Sequence, residues 1–411
     1  MGLRILLVTP MPPQAQAPGA IPLVLYAQLS GLREHHEVSL VTVAGQEPGE
    51  RQAVQDLKRD GLDVHAVVRE EPYGWRRWQR RWRMGHAWLT RRLPWRTVWF
   101  WEPEVQSILE RLFETRAFDL AIVEDNAMGI YDYSTDTPLL FTEHEVRRPR
   151  SVDYRFWKQH SLPAWALGEV DWRRWPGYQR HTWQKFDHIQ VFSHRDAQAV
   201  RQLAPDLGKP VSVNPFGIVL PAPARPENEQ PHQVLFVGNF THAPNVDAAL
   251  WLGRAIMPRL TAFHPGVHLN LVGIYPPDEV RALESETVHV TGPVRDIRPY
   301  MEVAAVVLAP VRIGGGMRMK VLQALAMGKA VVTTTRGAEG LEAEAEPPLK
   351  VADDAEGFAC AAAALLEDEQ ARRALGAQGR AFAARHFSPQ AYTERIEATY
   401  AAMIAGEEGE R

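Results

Sequence analysis

The chain has 411 residues, of which 45% are hydrophobic and 23% charged, and its formal net charge is −4. This length predicts two or three domains, the composition is that of an ordinary globular protein, and the mild acidity argues against a general nucleic-acid-binding protein. The single cysteine, Cys360, excludes an intrachain disulfide and a cysteine-based metal cluster, which favours a reducing compartment.

The chain opens with an apolar run, residues 5–9, which predicts the first strand of a sheet. The opening stretch is too short for a signal peptide, and no apolar run in the sequence reaches the length of a membrane span. We therefore expect a cytoplasmic protein. A peripheral position at the inner face of the membrane is a further expectation, and it depends on the segment of residues 73–101.

The first half of the sequence alternates short β-rich runs with helical patterns. This alternation is typical of a parallel sheet that is covered by helices on both faces. The predicted strands of this half are residues 5–9, 38–43, 64–68, 120–124, 139–142, 189–193 and 211–213.

Residues 73–101 hold seven Trp and eight Arg but no Asp or Glu. Trp75, Trp78 and Trp82 fall at helical spacing, with arginines among the intervening positions. One interpretation is contact with a membrane surface, or with a sugar-phosphate or lipid-diphosphate acceptor. The other is a domain helix that packs its Trp stripe on the sheet and leaves its arginines in solvent. Nucleic acid is not expected as a partner, because the basic stretch is local.

Two predicted strands of the first half end in polar clusters. Glu124 ends one strand, and Glu143, His144 and Glu145 end the next. These side chains are expected to project at the carboxyl edge of a parallel sheet, where carboxylates beside His144 would orient its ring. His144 and Glu143 are therefore candidate substrate contacts, and a surface ion-pair cluster is the alternative.

The second half begins after a linker, residues 221–233, which is rich in Pro, Glu and Gln. Strands are predicted at residues 234–238, 269–272, 288–291, 304–310 and 329–335. After the first of these strands, the backbone at Gly238 and the side chain of Asn239 are expected to touch phosphate or sugar. A helix is predicted over residues 246–260, with Asn245 as its N-cap.

Three consecutive glycines follow the strand at residues 304–310, and a helix should begin near Met317. Free N–H groups at a helix start favour an anion but supply only about half an elementary charge. A diphosphate carries more charge, and Arg318 and Lys320 provide additional cations in the first turn. The pattern predicts a nucleotide-diphosphate site, with Gly315, Gly316 and Met317 in contact with the ligand. A surface turn with two solvated cations is the alternative.

Motifs of the second half resemble the donor half of glycosyltransferase family 4, also called glycosyltransferase group 1. They are Gly-Gly-Gly-x-Arg-x-Lys-x-Leu, Ala-Met-Gly-Lys-Ala-Val-Val and Gly-Ala-Glu-Gly-Leu, and the resemblance is most specific over residues 234–341. It implies the α/β GT-B fold, in which two Rossmann-like, doubly wound parallel-sheet domains face a cleft. The expected domains are residues 1–215 for the acceptor, residues 216–387 for the donor, and a helix at 388–411 that returns to the first domain.

The apolar stripe of that last helix would consist of Tyr392, Ile396, Tyr400 and Met403, after a start at Ser388-Pro389.

The sequence departs from the family where members carry a pair of Glu residues separated by seven positions. Gly315 and Gln323 stand there instead, and a family subgroup is similar in this respect. The resemblance implies that Gln323 contacts ribose hydroxyls through its amide. Glu339 also matches a family position, with backbone bracing as the alternative, and Gly19 lies in a loop that faces the donor, with an ordinary turn as the alternative.

The resemblance implies retaining transfer of a hexosyl-type sugar from a nucleoside-diphosphate sugar to a hydroxyl of a carbohydrate or lipid-linked acceptor. Such a reaction fits cell-surface polysaccharide or glycolipid synthesis. Arg318, Lys320 and the loop amides would stabilise the departing diphosphate, and His144 would contact substrate near the reacting carbon. No metal is expected, because no Asp-x-Asp pair lies at a plausible loop, and no cofactor is expected beyond the nucleotide-sugar substrate. A nucleotide-sugar epimerase and a degenerate nucleotide-sugar-binding protein are the rivals.

Overall fold

The computed structural model describes residues 2–17, 19–45, 48–69, 75–147, 162–315, 318–341 and 346–405. These residues form two compact units. The first unit contains the described residues up to Val219 together with those from Pro389 onward, and the second unit is Leu220–Ser388.

The first unit is built on a parallel sheet of seven strands. They are β1 Arg4–Thr9, β2 Glu37–Ala44, β3 Asp63–Val68, β4 Leu120–Glu124, β5 Leu139–Glu143, β6 His188–Val191 and β7 Val211–Val213. Their order across the sheet is β3-β2-β1-β4-β5-β6-β7. The helices in chain order are α1 Ala20–His35, α2 Pro48–Arg59, α3 Trp75–Thr90, α4 Trp95–Phe100, α5 Pro103–Thr115, α6 Leu162–Trp172, α7 Trp175–Gln184 and α8 His194–Leu203.

Helices cover both faces of this sheet, which explains why its central strands lack polar alternation. Every residue of β4 and β5 is buried. Leu6 and Val8 pack into one hydrophobic cluster, whereas Ile5 and Leu7, which point the other way along β1, pack into a second cluster.

The second unit has a parallel sheet of six strands in the order β10-β9-β8-β11-β12-β13. The strands are β8 Gln230–Val237, β9 His268–Val272, β10 Val288–Gly292, β11 Ala304–Ala309, β12 Ala330–Thr333 and β13 Lys350–Val351. The helices are α9 Ala243–Trp251, α10 Met257–Phe263, α11 Asp278–Arg281, α12 Arg298–Val303, α13 Met319–Ala326, α14 Thr335–Ala338, α15 Ala355–Glu367 and α16 Glu369–Phe387, and a π-helical turn, Leu252–Ile256, joins α9 to α10.

The last helix, α17 Pro389–Ala405, packs on the first unit as predicted. Tyr392, Ile396 and Tyr400 are buried in the cluster that contains Ile5 and Leu7. Close contact with α1 requires a residue without a side chain at Gly31, since a Cβ there would lie 2.0 Å from Oγ1 of Thr393. The prediction of two doubly wound parallel-sheet domains with a returning helix is confirmed.

Candidate functional site

The order of strands in the second sheet identifies one position where a ligand is expected. Chain connections run outward in opposite directions from the neighbouring strands β8 and β11. In open α/β sheets, ligands bind outside the carboxyl ends of the strands at such a switch point. The loop after β8 begins with Gly238, and the loop after β11 contains Gly314 and Gly315.

Arg318 folds back on the glycine loop of residues 314–315. Its Nη1 donates to the carbonyl oxygen of Gly315 and its Nη2 to that of Gly314, both over 2.9 Å. The Nη1 of Arg336 also donates to the Gly314 oxygen, over 2.9 Å. The side chain of Arg318 therefore braces the loop while it keeps a buried positive charge beside it. Direct contact between Arg318 and a phosphate stays a prediction.

Gly314 has a conformation that few other residues adopt. Its φ is +92°, and a Cβ would lie 2.8 Å from Cγ of Pro244 in the first turn of α9. Gly315 is partly buried, and the predicted contacts at Gly316 and Met317 lie outside the described residues.

Lys320 lies in the first turn of α13 and is partly buried. Its Nζ donates to Oδ1 of Asn245 and sits 4.4 Å from the centre of the Phe236 ring. Burial, together with the nearby positive charge of Arg318, lowers the pKa of Lys320 to about 7. Within the described part of the chain, no carboxylate pairs with this ammonium group. Lys320 thus has a neutral amide and an aromatic face as partners, but no counter-ion among the described residues.

The predicted N-cap role of Asn245 is wrong. Helix α9 begins at Ala243, with His242 at the N-cap position and Pro244 in the first turn. Proline suits this turn because its missing N–H would have no helical partner there. Asn245 instead donates from Nδ2 to the carbonyl oxygen of Asn239 over 2.7 Å and accepts from Lys320. It therefore joins the loop after β8 to the helix that follows the glycine loop.

The loop after β8 is tightly packed at Gly238. A Cβ on Gly238 would lie 3.0 Å from side-chain atoms of both Asn245 and Phe236. The Oδ1 of Asn239 accepts from the backbone N–H and the hydroxyl of Thr241, over 3.0 and 2.7 Å. The side-chain oxygen of Asn239 therefore stabilises the turn, and substrate contacts at Gly238 and Asn239 stay predictions.

Gln323 and Glu339 both lie on elements that surround the glycine loop. Gln323 is in α13, one turn after Lys320, and is partly buried. Glu339 follows α14 at the carboxyl side of β12. The contact of Gln323 with ribose hydroxyls and the substrate contact at Glu339 stay predictions.

Sequence reasoning missed two arginines at this edge. Arg312 pairs with Asp247 of α9 through Nη2 at 2.6 Å and Nε at 3.1 Å, and its guanidinium lies 4.6 Å from the Trp251 ring centre. Arg336 is the second, through its bond to Gly314. Both follow the ends of neighbouring strands, β11 and β12, so the strand-edge rule that selected the glycine loop also pointed to them.

In the first unit, His144 follows β5 and its ring is held by a buried carboxylate. Its Nε2 lies 2.7 Å from Oε2 of Glu124. The other oxygen of Glu124 accepts from Gln28 Nε2 and Thr142 Oγ1, each over 2.8 Å. The His144 ring also packs edge-on against Phe192, with centroids 5.0 Å apart. The carboxylate of Glu124 thus fixes the orientation of the imidazole, whereas the sequence had assigned this role to the flanking carboxylates of Glu143 and Glu145.

Glu143 points into the protein interior and does not project from the edge. It is fully buried, and Nε1 of Trp183 donates to its Oε2 over 3.0 Å while Asn126 donates to its Oε1. Burial and the nearby charge of Asp125 raise the pKa of Glu143 well above its usual value. The expectation that Glu143 projects into a site is wrong, because a parallel sheet buries both of its faces.

The remaining predicted residue of the first unit, Gly19, is exposed at the N-cap of α1. Its φ is −109°, and the nearest atom to a Cβ would be Cδ of Pro22 at 3.7 Å. Neither backbone conformation nor crowding requires glycine there, so contact with a donor stays a prediction.

Comparison with known protein families gives a match within the second unit. Residues 231–368 match the family model described as Glycosyl transferases group 1. A search of curated protein sequences gives no match.

Similar solved structures extend over nearly the whole chain. HepE from Anabaena, in complex with UDP and glucose, is 14% identical, with a TM-score of 0.63 over 97% of this chain and 100% of that one. Sucrose-phosphate synthase from Thermosynechococcus elongatus is 16% identical, with a TM-score of 0.66 over 98% and 100%. A UDP-forming trehalose-phosphate synthase from Burkholderia xenovorans is 14% identical, with a TM-score of 0.61 over 98% and 99%.

At these identities the likeness shows the fold, which is GT-B, and the family match falls on the unit that carries the glycine loop and Lys320.

Proposed function

We propose that this protein is a glycosyltransferase that moves a sugar from a nucleoside-diphosphate sugar to an acceptor hydroxyl. The observation that carries the proposal is Lys320, a cation without a carboxylate partner among the described residues, at the switch point of the second sheet. Removal of an ammonium group from water without a counter-ion is costly. An anionic ligand at this position would offset that cost.

The diphosphate of the donor is the anion that fits best. Lys320 would supply a compact charge, and the loop at Gly314 and Gly315 would approach the phosphates closely. Arg318 adds charge beside the loop and holds its carbonyl oxygens away from the ligand, because both point at the guanidinium. Gly316, Met317, Gln323 and Glu339 are the further donor contacts that we propose.

The hard step of such a reaction is departure of the diphosphate from the anomeric carbon. Negative charge grows on the bridging oxygen as that bond breaks, and preorganised cations lower the energy of this state more than that of the bound substrate. The acceptor oxygen forms the new bond to the anomeric carbon, and its proton passes to an oxygen of the departing diphosphate. We propose that departure occurs on the same face as attack, with retention, and that neither a metal nor another cofactor takes part.

We also propose that His144 contacts substrate near the reacting carbon. Glu124 is then a positioning residue, since it acts only through the imidazole that it orients. Acceptor binding is assigned to the first unit, and the acceptor class that we propose is a carbohydrate or lipid-linked precursor of a cell-surface polysaccharide or glycolipid.

The comparisons support this proposal in its general form. The family match covers residues 231–368, and structures of the similar HepE protein contain UDP and UDP-glucose. UDP-sugars are therefore the first donors to test, followed by GDP-sugars.

The experiment incubates purified protein with each nucleotide sugar, with and without a membrane extract as the source of acceptor. Nucleotide release that requires the extract is the expected result. Isomerised sugar without an acceptor would instead identify an epimerase, and tight binding without turnover under both conditions would identify a binding protein. Either of these results would overturn the proposal.

A further inference from the structure

Helix α3 turns three of its four tryptophans toward solvent. Trp75, Trp78 and Trp82 are 75%, 70% and 70% exposed, and Leu89 is 69% exposed. At about 100° per residue, these four side chains fall within an arc of roughly 60° on one side of the helix. In the part of the chain that the structure describes, no element packs over this stripe, so a contiguous apolar face lies in water.

The opposite side of α3 faces the protein through Met84 and Arg80. Met84 is buried, and Nη2 of Arg80 donates to Oε1 of Glu102 over 2.8 Å. The Arg80 guanidinium also lies 5.0 Å from the ring centre of Trp99. The interpretation of a Trp stripe packed on the sheet with solvated arginines is therefore wrong. Arg80 anchors the helix on its protein-facing side, whereas Trp75, Trp78 and Trp82 face solvent.

Helix α4 lies beside α3 and extends the same kind of surface. Trp95 and Trp99, one turn apart, are 43% and 42% exposed. The end of α4 is fixed by Tyr131, whose hydroxyl donates to the carbonyl oxygen of Phe100 over 2.7 Å. Trp88 of α3 donates from Nε1 to Asp171 of α6 over 2.8 Å. These bonds fix α3 and α4 to other elements of the first unit, so the exposed tryptophans lie on anchored helices.

The charged residues of the segment 75–101 all have one sign. Arg81 and Arg83 are exposed and lie about 100° to either side of it on the helix, and Arg91 and Arg92 are exposed beyond its end. The only acidic residue near the end of this segment, Glu102, follows it directly. We call the exposed members of this group the Trp/Arg surface. It consists of Trp75, Trp78, Arg81, Trp82, Arg83, Leu89, Arg91, Arg92, Trp95 and Trp99.

We propose that the Trp/Arg surface docks on an anionic lipid bilayer, with α3 and α4 lying in the headgroup layer. Tryptophan is amphipathic and favours the boundary between water and hydrocarbon, while arginine pairs with lipid phosphates. A second copy of the chain is disfavoured as the partner, because two patches that each carry an excess of arginines repel each other. Among the described helices, none is both long and apolar enough to cross a membrane, so the surface would lie on the bilayer.

The test measures sedimentation of the full chain with vesicles of phosphatidylcholine, alone or mixed with phosphatidylglycerol. Wild-type protein is expected to bind the mixed vesicles and to lose binding as salt is raised. The double change Trp78→Ser with Trp82→Ser, and separately Arg81→Gln with Arg83→Gln, should each lower the partition coefficient roughly tenfold or more. Phe263→Ser, an exposed aromatic at the end of α10 in the second unit, is the matched control and should bind as wild type does.

Vesicles whose acyl chains carry bromine should quench tryptophan fluorescence of the wild type more than that of the Trp78/Trp82 variant. Thermal unfolding checks that each variant is folded, and conservative Trp78→Phe with Trp82→Phe keeps the test valid if the serine variant fails to fold. Failure of the wild-type protein to bind either type of vesicle would overturn the proposal. So would unchanged vesicle binding by folded Trp78/Trp82 variants, or a wild-type dimer that these changes dissociate. Donor binding, measured separately, is expected to be the same in all variants.

Discussion

Two lysines of the second unit lie at opposite ends of the strands of one sheet, and among the described residues Lys329 pairs with a carboxylate whereas Lys320 does not. Lys329 precedes β12, and its Nζ donates to the carbonyl oxygens of Glu302 and Ala304, over 2.9 and 2.8 Å. It also lies 3.6 Å from Oε2 of Glu229, which pairs with Arg372. Lys320, at the carboxyl ends, has an amide and an aromatic ring as partners.

We infer from this difference that the charge of Lys329 stabilises the fold, whereas the charge of Lys320 serves to bind a ligand. Burial lowers the pKa of both lysines, but Glu229 opposes the shift at Lys329, whereas Arg318 adds to it at Lys320. A buried cation with a carboxylate and two carbonyl oxygens is satisfied within the protein. A cation without a counter-ion costs folding free energy and is better explained by an anion that binds there.

The largest expected effect is a loss of stability when Lys329, at the amino ends of the strands, is replaced. Lys329→Met removes two hydrogen bonds to buried carbonyl oxygens and one partner of Glu229, so the free energy of unfolding should fall by about 3 kcal/mol. Urea unfolding measures this loss. Donor affinity of the fraction that stays folded should not change, and a loss below about 1 kcal/mol would contradict the structural role.

Lys320→Met is expected to lower ligand affinity and to leave the stability of the protein nearly unchanged. Affinity for the nucleotide diphosphate is expected to fall by about 1.5–3 kcal/mol, because a charge-assisted bond is lost, while the free energy of unfolding stays within about 1 kcal/mol of wild type. Isothermal calorimetry measures the affinity. Lys350→Met, at an exposed lysine in the short strand β13 of the same unit, is the control for net charge. Equal affinities of wild type and Lys320→Met would remove the main support for the donor site.

The same comparison shows what the sequence allows one to predict. Apolar runs such as those of β11 and β12 are bounded by glycines and polar turns, and a parallel sheet follows from their alternation with helices. The position of Lys320 at a carboxyl edge could be predicted for this reason. Its lack of a carboxylate partner among the described residues could not, because the side chain that accepts its hydrogen bond belongs to Asn245, 75 positions earlier in the chain.

The direction of side chains was the second feature that could not be predicted from the sequence. Helical spacing showed that Trp75, Trp78 and Trp82 share a face, but the pattern does not tell whether that face meets the sheet or the solvent. The inward turn of Arg80 toward Glu102 decides it, and that contact links two separate helical segments. Likewise, the last residue of a strand in a doubly covered sheet can point inward, as Glu143 does toward Trp183.

The smallest expected effect is a pH dependence of donor binding that only Lys320 produces. In the free protein its pKa is about 7, so at pH 8 most of the amine is neutral. A bound diphosphate favours the charged form and raises this pKa, so binding at pH 8 should take up a proton. Affinity should therefore fall as pH rises above about 7, by at most tenfold per pH unit, until the pKa of the complex is reached.

A nucleotide sugar suits this measurement because its diphosphate is esterified at both ends and does not titrate near pH 8. Calorimetry in two buffers of different ionisation enthalpy gives the number of protons taken up. Wild type should approach one proton per ligand, and Lys320→Met should take up none. Equal uptake by both proteins would assign the proton to another group. No uptake by the wild type would mean that the diphosphate does not meet this amine, and the contrast between Lys320 and Lys329 would then concern folding alone.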